Sequence, residues 1–185
     1  MLPRTFRLTH KNVETFDTVT LELTAADDGP PIVFSPGQFT MVYVFGVGEV
    51  PLSISGDPDH PDSLVHTVRA VGAVTNAICA LEPGDAVGVR GPYGTGWPDA
   101  RNRDLLIIAG GIGLAPVRPL IRRAVAHRQE YFSVGLVYGS RSPSELLYRD
   151  ELDSWRRGDT IDVQVTVDRG DPTWRGDVGV VTPLV

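Results

Sequence analysis

Hydrophobic and polar positions alternate along much of the first hundred residues, in runs that are all short. Thr18-Val19-Thr20-Leu21-Glu22-Leu23 has period two, as do parts of Gln38 to Phe45 and of Leu64 to Arg69. That period puts alternate side chains on one face of a strand. Turn-forming clusters separate the runs: Asp27-Asp28-Gly29-Pro30-Pro31, Ser35-Pro36-Gly37, Gly56-Asp57-Pro58, Glu82-Pro83-Gly84-Asp85 and Gly91-Pro92-Tyr93-Gly94. Some six short strands at this spacing predict a small antiparallel barrel. A short helix from about Val74 to Leu81 interrupts it.

From Arg103 the rhythm changes. Continuous apolar runs, Asp104 to Ala109, Phe132 to Tyr138 and Ile161 to Val167, alternate with helix-compatible segments. The first helix runs from about Ala115 to His127. The second starts at Ser142-Pro143-Ser144-Glu145, where serine suits the cap, proline the first helical position and glutamate a capping box. Apolar strands alternating with helices predict a parallel sheet. The fold class is therefore β plus α/β, a small antiparallel Greek-key barrel followed by a parallel nucleotide-binding unit. Asp99 to Arg103 marks the boundary, giving domains 1–100 and 101–185. Three strands make a thin sheet, and the apolar end Val178 to Val185 normally leads into another element, so the second unit reads as incomplete.

Composition narrows the function classes. At 185 residues the chain can bury one sizeable core or two small ones. No apolar run approaches the roughly 20 residues that span a bilayer, and Met1 to Phe6 lacks a signal-peptide core, which predicts a cytoplasmic chain without membrane insertion. One cysteine, Cys79, leaves no internal disulfide and no cysteine-only metal site; it reads as a small buried apolar residue. A net charge of -6 argues against nucleic acid as a partner. His10, His60, His66 and His127 show no metal-ligand spacing and read as structural or exposed. No metal site is expected, and no Ser/His/Asp triad or carboxylate pair stands out.

The most informative stretch is Leu105 to Pro116. An apolar strand feeds Gly110-Gly111-Ile112-Gly113, and Leu114-Ala115-Pro116 opens a helix. Glycines at a strand end let the backbone approach a bulky anion, and the N–H groups of the following helix then face it. This is how a nucleotide pyrophosphate is held, although a lone turn of this kind also serves as a plain tight turn. The GxGxxG fingerprint would need glycine at position 116. The strand ending Tyr138-Gly139-Ser140-Arg141 is where the adenosine ribose is read. An acid there favours NADH, whereas arginine accepts a 2′-phosphate, so Ser140 and Arg141 lean slightly towards NADPH. Arg118, Arg122 and Arg123 recur at helical spacing and read as a solvated face or a docking surface.

Five motifs occur in the order found in ferredoxin–NADP reductase-like flavoproteins: Pro36-Gly37-Gln38-Phe39, Pro51 to Ser55, Val71 to Thr75, Gly91 to Gly94 and Gly111 to Pro116. The chain resembles that family along essentially its whole length. With Gly46 to Glu49 and Val89 to Gly94 it is most similar to the flavin subunits of cytosolic nickel–iron hydrogenase and anaerobic sulfite reductase. The resemblance implies FAD held by Pro51, Leu52, Ser53 and Ile54 on one barrel strand, by Thr67, Val68 and Arg69 on the next, and by Gly72, Ala73, Val74 and Thr75 at the short helix. It implies an electron-transfer subunit working between NAD(P)H and, through FAD, an iron–sulfur carrier of a larger complex with catalytic subunits. Alternatives are the electron-transfer subunit of a dihydroorotate dehydrogenase, or a truncated non-catalytic flavin-binding or docking subunit.

The chain departs from that family in four places. Val50 stands where many relatives carry a pyrophosphate-neutralising arginine, for which Arg69 is the available substitute. Ile112 stands where the common turn has threonine. The Cys-Gly-Pro-Pro segment and the iron–sulfur cysteines that usually follow are absent from these 185 residues. No iron–sulfur cluster is therefore expected within this chain.

Overall fold

The computed structural model describes residues 2–184. The chain divides into two compact units, Met1–Trp97 and Pro98–Val185. Among the described residues no helix is long and apolar enough to cross a membrane.

The first unit holds β1 (Arg4–Thr15), β2 (Thr18–Ala25), β3 (Phe39–Val44), β4 (Gly48–Ser53), β5 (Leu64–Arg69), α1 (Ala73–Cys79) and β6 (Ala86–Tyr93). The strands pair antiparallel in the order β4-β3-β6-β1-β2-β5. A bridge between Ile54 and His66 joins the two ends of that order and closes the barrel. Alternation fixes the register: Val19, Leu21 and Leu23 of β2 point inward with Phe6, Leu8, Val42, Leu64, Val68, Val87 and Val89. A one-residue slip of β2 would expose three apolar side chains at roughly 1.5–3 kcal/mol each. Ile78 of α1 seals the core.

The second unit holds β7 (Leu105–Gly110), α2 (Leu114–Ala126), β8 (Val134–Ser140), α3 (Arg149–Arg157), β9 (Asp162–Val167) and β10 (Asp177–Val178). Its sheet is parallel in the order β10-β9-β8-β7. The two-residue β10 adds a fourth strand to the three that the hydrophobic pattern predicts.

The second helix corrects the sequence reading. Pro143–Glu145 form only a single 3-10 turn, and Ser142 makes no capping bond. Its hydroxyl lies on Ser144 Oγ and Glu145 Oε1 instead. Leu146 is extended and Tyr148 is left-handed at φ 51° before α3 begins at Arg149. Burial of Leu146, Leu147 and Tyr148 in the core decides this against the capping signal. Asp150 and Glu151 then occupy the first turn of α3 and Arg156 and Arg157 the last, matching the helix dipole at both ends.

The arginines of α2 are a second correction. Arg118 is buried, donates to both carboxylate oxygens of Glu151 on α3 at 2.7 and 2.9 Å, and lies 4.3 Å from the centre of the Tyr148 ring. Arg122 reaches the same carboxylate. Burial alone would raise the Glu151 pKa, but hydrogen bonds and charge from Arg118 and Arg122 hold it below its ordinary value. Arg118 and Arg122 therefore join the two helices instead of forming a solvated or docking face.

Candidate nucleotide and flavin sites

At the carboxyl ends of the parallel strands lies a cleft of about 220 Å³ lined by Gly110, Gly111, Gly139, Ser140, Arg141, Asp168 and Gly179 to Val181. Open parallel sheets bind ligands at this edge. Backbone bonds tie its walls together: Asp168 N–H donates to Ser140 O at 2.9 Å, Arg169 N–H to Arg141 O at 3.1 Å, and Gly179 N–H to Val167 O at 2.9 Å. The Tyr138 hydroxyl donates to Gly111 O at 3.3 Å and accepts from Leu147 N–H, anchoring the glycine turn to the core.

Three observations fit this cleft to a dinucleotide. Gly111 has φ +51°, a conformation that disfavours a side chain. A Cβ placed at Gly110, Gly111 or Gly113 would meet no atom within 4 Å, so internal packing does not require glycine there. The space is open to a ligand. Gly139 is the opposite case, because its Cβ would lie 2.6 Å from Val181. The third is Ser140, whose side-chain oxygen is buried without a hydrogen-bond partner on a wall of the cleft. A buried hydroxyl left in that state is costly unless a ligand completes it.

The sequence-predicted residues divide accordingly. Gly110, Gly111, Ser140 and Arg141 meet in the cleft. Ile112, Gly113, Leu114, Ala115 and Pro116 do not line it, and Leu114 and Ala115 are buried, Leu114 in the core of this unit. From this stretch the backbone N–H groups that open the Gly111–Gly113 turn remain available to a ligand, since Leu114 N–H already donates to Gly111 O and Pro116 has no N–H. Arg141 is ion-paired with Glu145, four residues on. Asp168 and Gly179 to Val181 were missed by the sequence reading. Asp168 stands just past the end of β9, a place that marks it only once the sheet sets it beside Ser140.

In the first unit, the outer side of β4 is unpaired up to the Ile54 bridge. Pro51, which lacks an N–H, suits such an edge. Pro51 is exposed, Leu52 and Ser53 are half-buried, and the Ser53 hydroxyl makes no hydrogen bond among the described residues. The Ile54 side chain is fully buried and its N–H donates to Gln38 O at 3.0 Å. Val68 likewise points into the core, and the Thr67 hydroxyl is shared with Thr20 and Ser55 at 3.0 Å each. Arg69 is held by Asp17 at 2.7 Å. Burial opposes ionisation of Asp17, but the bonds from Arg69, Thr18 and Thr15 set its pKa below the ordinary value.

At α1, the Thr75 hydroxyl accepts from Val71 and Gly72 N–H and donates to Gly72 O. It caps the helix and offers no proton to a ligand, which corrects its predicted role. The first-turn N–H groups of Ala73, Val74 and Thr75 have no acceptor within the helix. A Cβ at Gly72 would meet nothing, so the approach to them is clear. Cys79, half-buried, donates to Val68 O at 3.6 Å, and burial raises its pKa.

An antiparallel barrel followed by a parallel α/β unit with this glycine turn is the ferredoxin reductase-like fold, and residues 107–185 match the oxidoreductase NAD-binding domain family. The chain is homologous to sulfhydrogenase gamma subunits and to electron-transfer subunits of dihydroorotate dehydrogenase B. It is 37% identical over 148 residues to the gamma subunit of sulfhydrogenase 1 from Pyrococcus furiosus, which covers 77% of this chain and 50% of that protein. A probable dihydroorotate dehydrogenase B (NAD(+)) electron transfer subunit from Methanocella arvoryzae is 41% identical over 115 residues, 62% of this chain and 41% of the relative. Among solved structures, phthalate dioxygenase reductase aligns at TM-score 0.78 and 28% identity over 94% of this chain and 54% of its own. That protein is described as a modular structure for electron transfer from pyridine nucleotides to a 2Fe–2S centre. The chain spans about half the length of the curated relatives it matches.

Proposed function

We propose that the chain is the flavin-bearing, nicotinamide-oxidising part of an electron-transfer subunit, taking electrons from NADH and passing them through FAD to an iron–sulfur carrier of a larger redox complex. The observation that carries this is the cleft where the glycine turn, the unpartnered Ser140 hydroxyl and Asp168 converge. Bound FAD supplies the chemistry, accepting a hydride from the nicotinamide and releasing electrons singly.

The chain's residues bind and orient. In the second unit, Gly110 and Gly111 admit the dinucleotide backbone, and the N–H groups opening the Gly111–Gly113 turn that leads into α2 take its pyrophosphate. Ser140 donates its buried hydroxyl to the adenosine ribose. Asp168 accepts from the ribose 2′-hydroxyl and repels a 2′-phosphate, while the ion pair with Glu145 offsets the charge of Arg141. That shifts the preference from NADPH, the reading drawn from the sequence, to NADH. In the first unit, the open edge of β4 and the Ser53 hydroxyl meet the flavin ring, and the first-turn N–H groups of α1 meet its pyrophosphate. Val50 and the Asp17-bound Arg69 leave that diphosphate without a free arginine from these positions.

Two partner settings follow from the relatives: iron–sulfur and catalytic subunits of a hydrogenase or sulfite reductase type, and a dihydroorotate dehydrogenase. The 41% identity to an electron-transfer subunit of the second kind supports keeping both. A cytoplasmic location fits either. The test is anaerobic titration of FAD-loaded protein with NADH and NADPH, followed at the flavin absorption band. NADH should bleach it at the higher kcat/KM, and D168S should raise kcat/KM for NADPH about tenfold, a change of about 1.4 kcal/mol. Colourless protein that cannot be reconstituted with FAD overturns the reading. Yellow protein indifferent to both nucleotides supports a docking subunit instead.

A further inference from the structure

Among the buried polar side chains of the barrel, Thr40 on β3 and His66 on β5 form a pair, both essentially fully buried. His66 Nδ1 lies 2.9 Å from the Ser53 carbonyl oxygen, and its Nε2 lies 3.0 Å from Thr40 Oγ1. A carbonyl only accepts, so Nδ1 carries the proton; Nε2 then accepts from the Thr40 hydroxyl. The imidazole thus runs from β3 to the last residue of β4, beside the Ile54–His66 bridge that closes the barrel. A leucine would fill this position among the apolar side chains Leu64 and Val68 of the same strand. It could not fix Ser53.

We infer that His66 is a positioning residue for the flavin: through its hydrogen bond to the Ser53 carbonyl it sets the end of β4, and with it the Ser53 hydroxyl that meets the ring. The inference rests on the proposed function, because it takes Ser53 as a flavin contact. A neutral imidazole suits the task because both of its bonds are satisfied without a buried charge. It touches no reacting atom and acts only through Ser53.

The test uses the full chain reconstituted with FAD, comparing H66L, H66Q and T40V with wild type. FAD affinity, the absorption spectrum of the bound flavin and its midpoint potential are measured alongside NADH affinity. H66Q retains a donor and an acceptor and should keep FAD affinity within about threefold. H66L should lose about tenfold in affinity and shift the flavin spectrum and potential, with NADH affinity unchanged. T40V, which removes the donor to Nε2 while leaving the ring, should fall between, and it carries the test if H66L does not fold. Wild-type FAD affinity and spectrum in H66L, or in T40V where H66L is lost, overturn the inference. So does an H66Q that fails as badly as H66L. Wild-type protein that takes up no FAD overturns the functional reading and this inference together; the other failures leave that reading standing.

Discussion

His66 ties stability to pH in a direction that follows from its surroundings. Burial pushes its imidazole down to about 4 from an ordinary value of 6.5, opposed only in part by the bond to the Ser53 carbonyl. The unfolded chain therefore takes up a proton between pH 6.5 and about 4 while the folded chain does not. Stability is fully present above pH 6.5 and falls as pH drops through that window, by about 3 kcal/mol at its lower end. Urea midpoints from pH 7.5 to 4.5 should show this slope, and H66Q should flatten it; equal slopes would remove His66 as the source. Arg118 offers a second residue-scale test. Replacing it by methionine leaves the Glu151 carboxylate with Arg122 alone, and the second unit should lose about 3 kcal/mol in chemical denaturation. A loss under about 0.5 kcal/mol would mean that the pair is solvated after all. Neither role was readable beforehand. One-dimensional spacing shows that three arginines share a helix face, but not that a carboxylate from the next helix and the Tyr148 ring wait opposite.

The elements most legible in the sequence were those with a single uncontested period. β2, β5 and the paired strands β7 and β8 follow from alternation or from apolar runs, and the glycine turn between β7 and α2 stands where the pattern puts it. The segment before α3 was illegible because two local rules disagreed. Ser142 to Glu145 satisfies the chemistry of a helix start, yet three consecutive buried residues, Leu146, Leu147 and Tyr148, favour an extended chain into the core. Within the candidate cleft the glycines were legible and Asp168 was not, since a lone acid after a strand has no meaning until the sheet places it beside Ser140. The turn separates backbone strain from ligand space. Gly110 has φ -133° and ψ 130°, a strand conformation in which valine is at ease, and open space around it. G110V should therefore change thermal stability little and weaken NADH binding at least tenfold by filling the cleft. G111A should instead cost about 1–2 kcal/mol, because φ +51° is unfavourable for any Cβ. Differential scanning calorimetry beside nucleotide titration separates the two; NADH binding unimpaired in G110V would place the nucleotide elsewhere.

Charge is divided unevenly over the molecule. Residues 1–97 carry 11 acidic and 5 basic side chains, whereas residues 98–185 carry 12 of each. The whole net charge of -6 therefore belongs to the unit proposed to hold FAD, itself a dianionic diphosphate. Arg69 and Arg90 there are held by Asp17 and Glu49, and Lys11 by Glu82. With Arg4 held by Asp27 and Arg7 donating to the Gly84 carbonyl, the proposed flavin site on β4 and α1 rests on neutral N–H donors and on burial of the ring, against a long-range repulsion. Added salt screens that repulsion, with a Debye length that shrinks from about 30 Å at 0.01 M to about 8 Å at 0.15 M. FAD affinity should therefore rise about threefold across this range, the reverse of a site built on free arginines. NADH, at a unit of zero net charge, should respond little. Flavin fluorescence quenching at the two ionic strengths measures the first and nucleotide titration the second. FAD binding that weakens with salt would reveal a cationic contact and return Arg69 to the diphosphate.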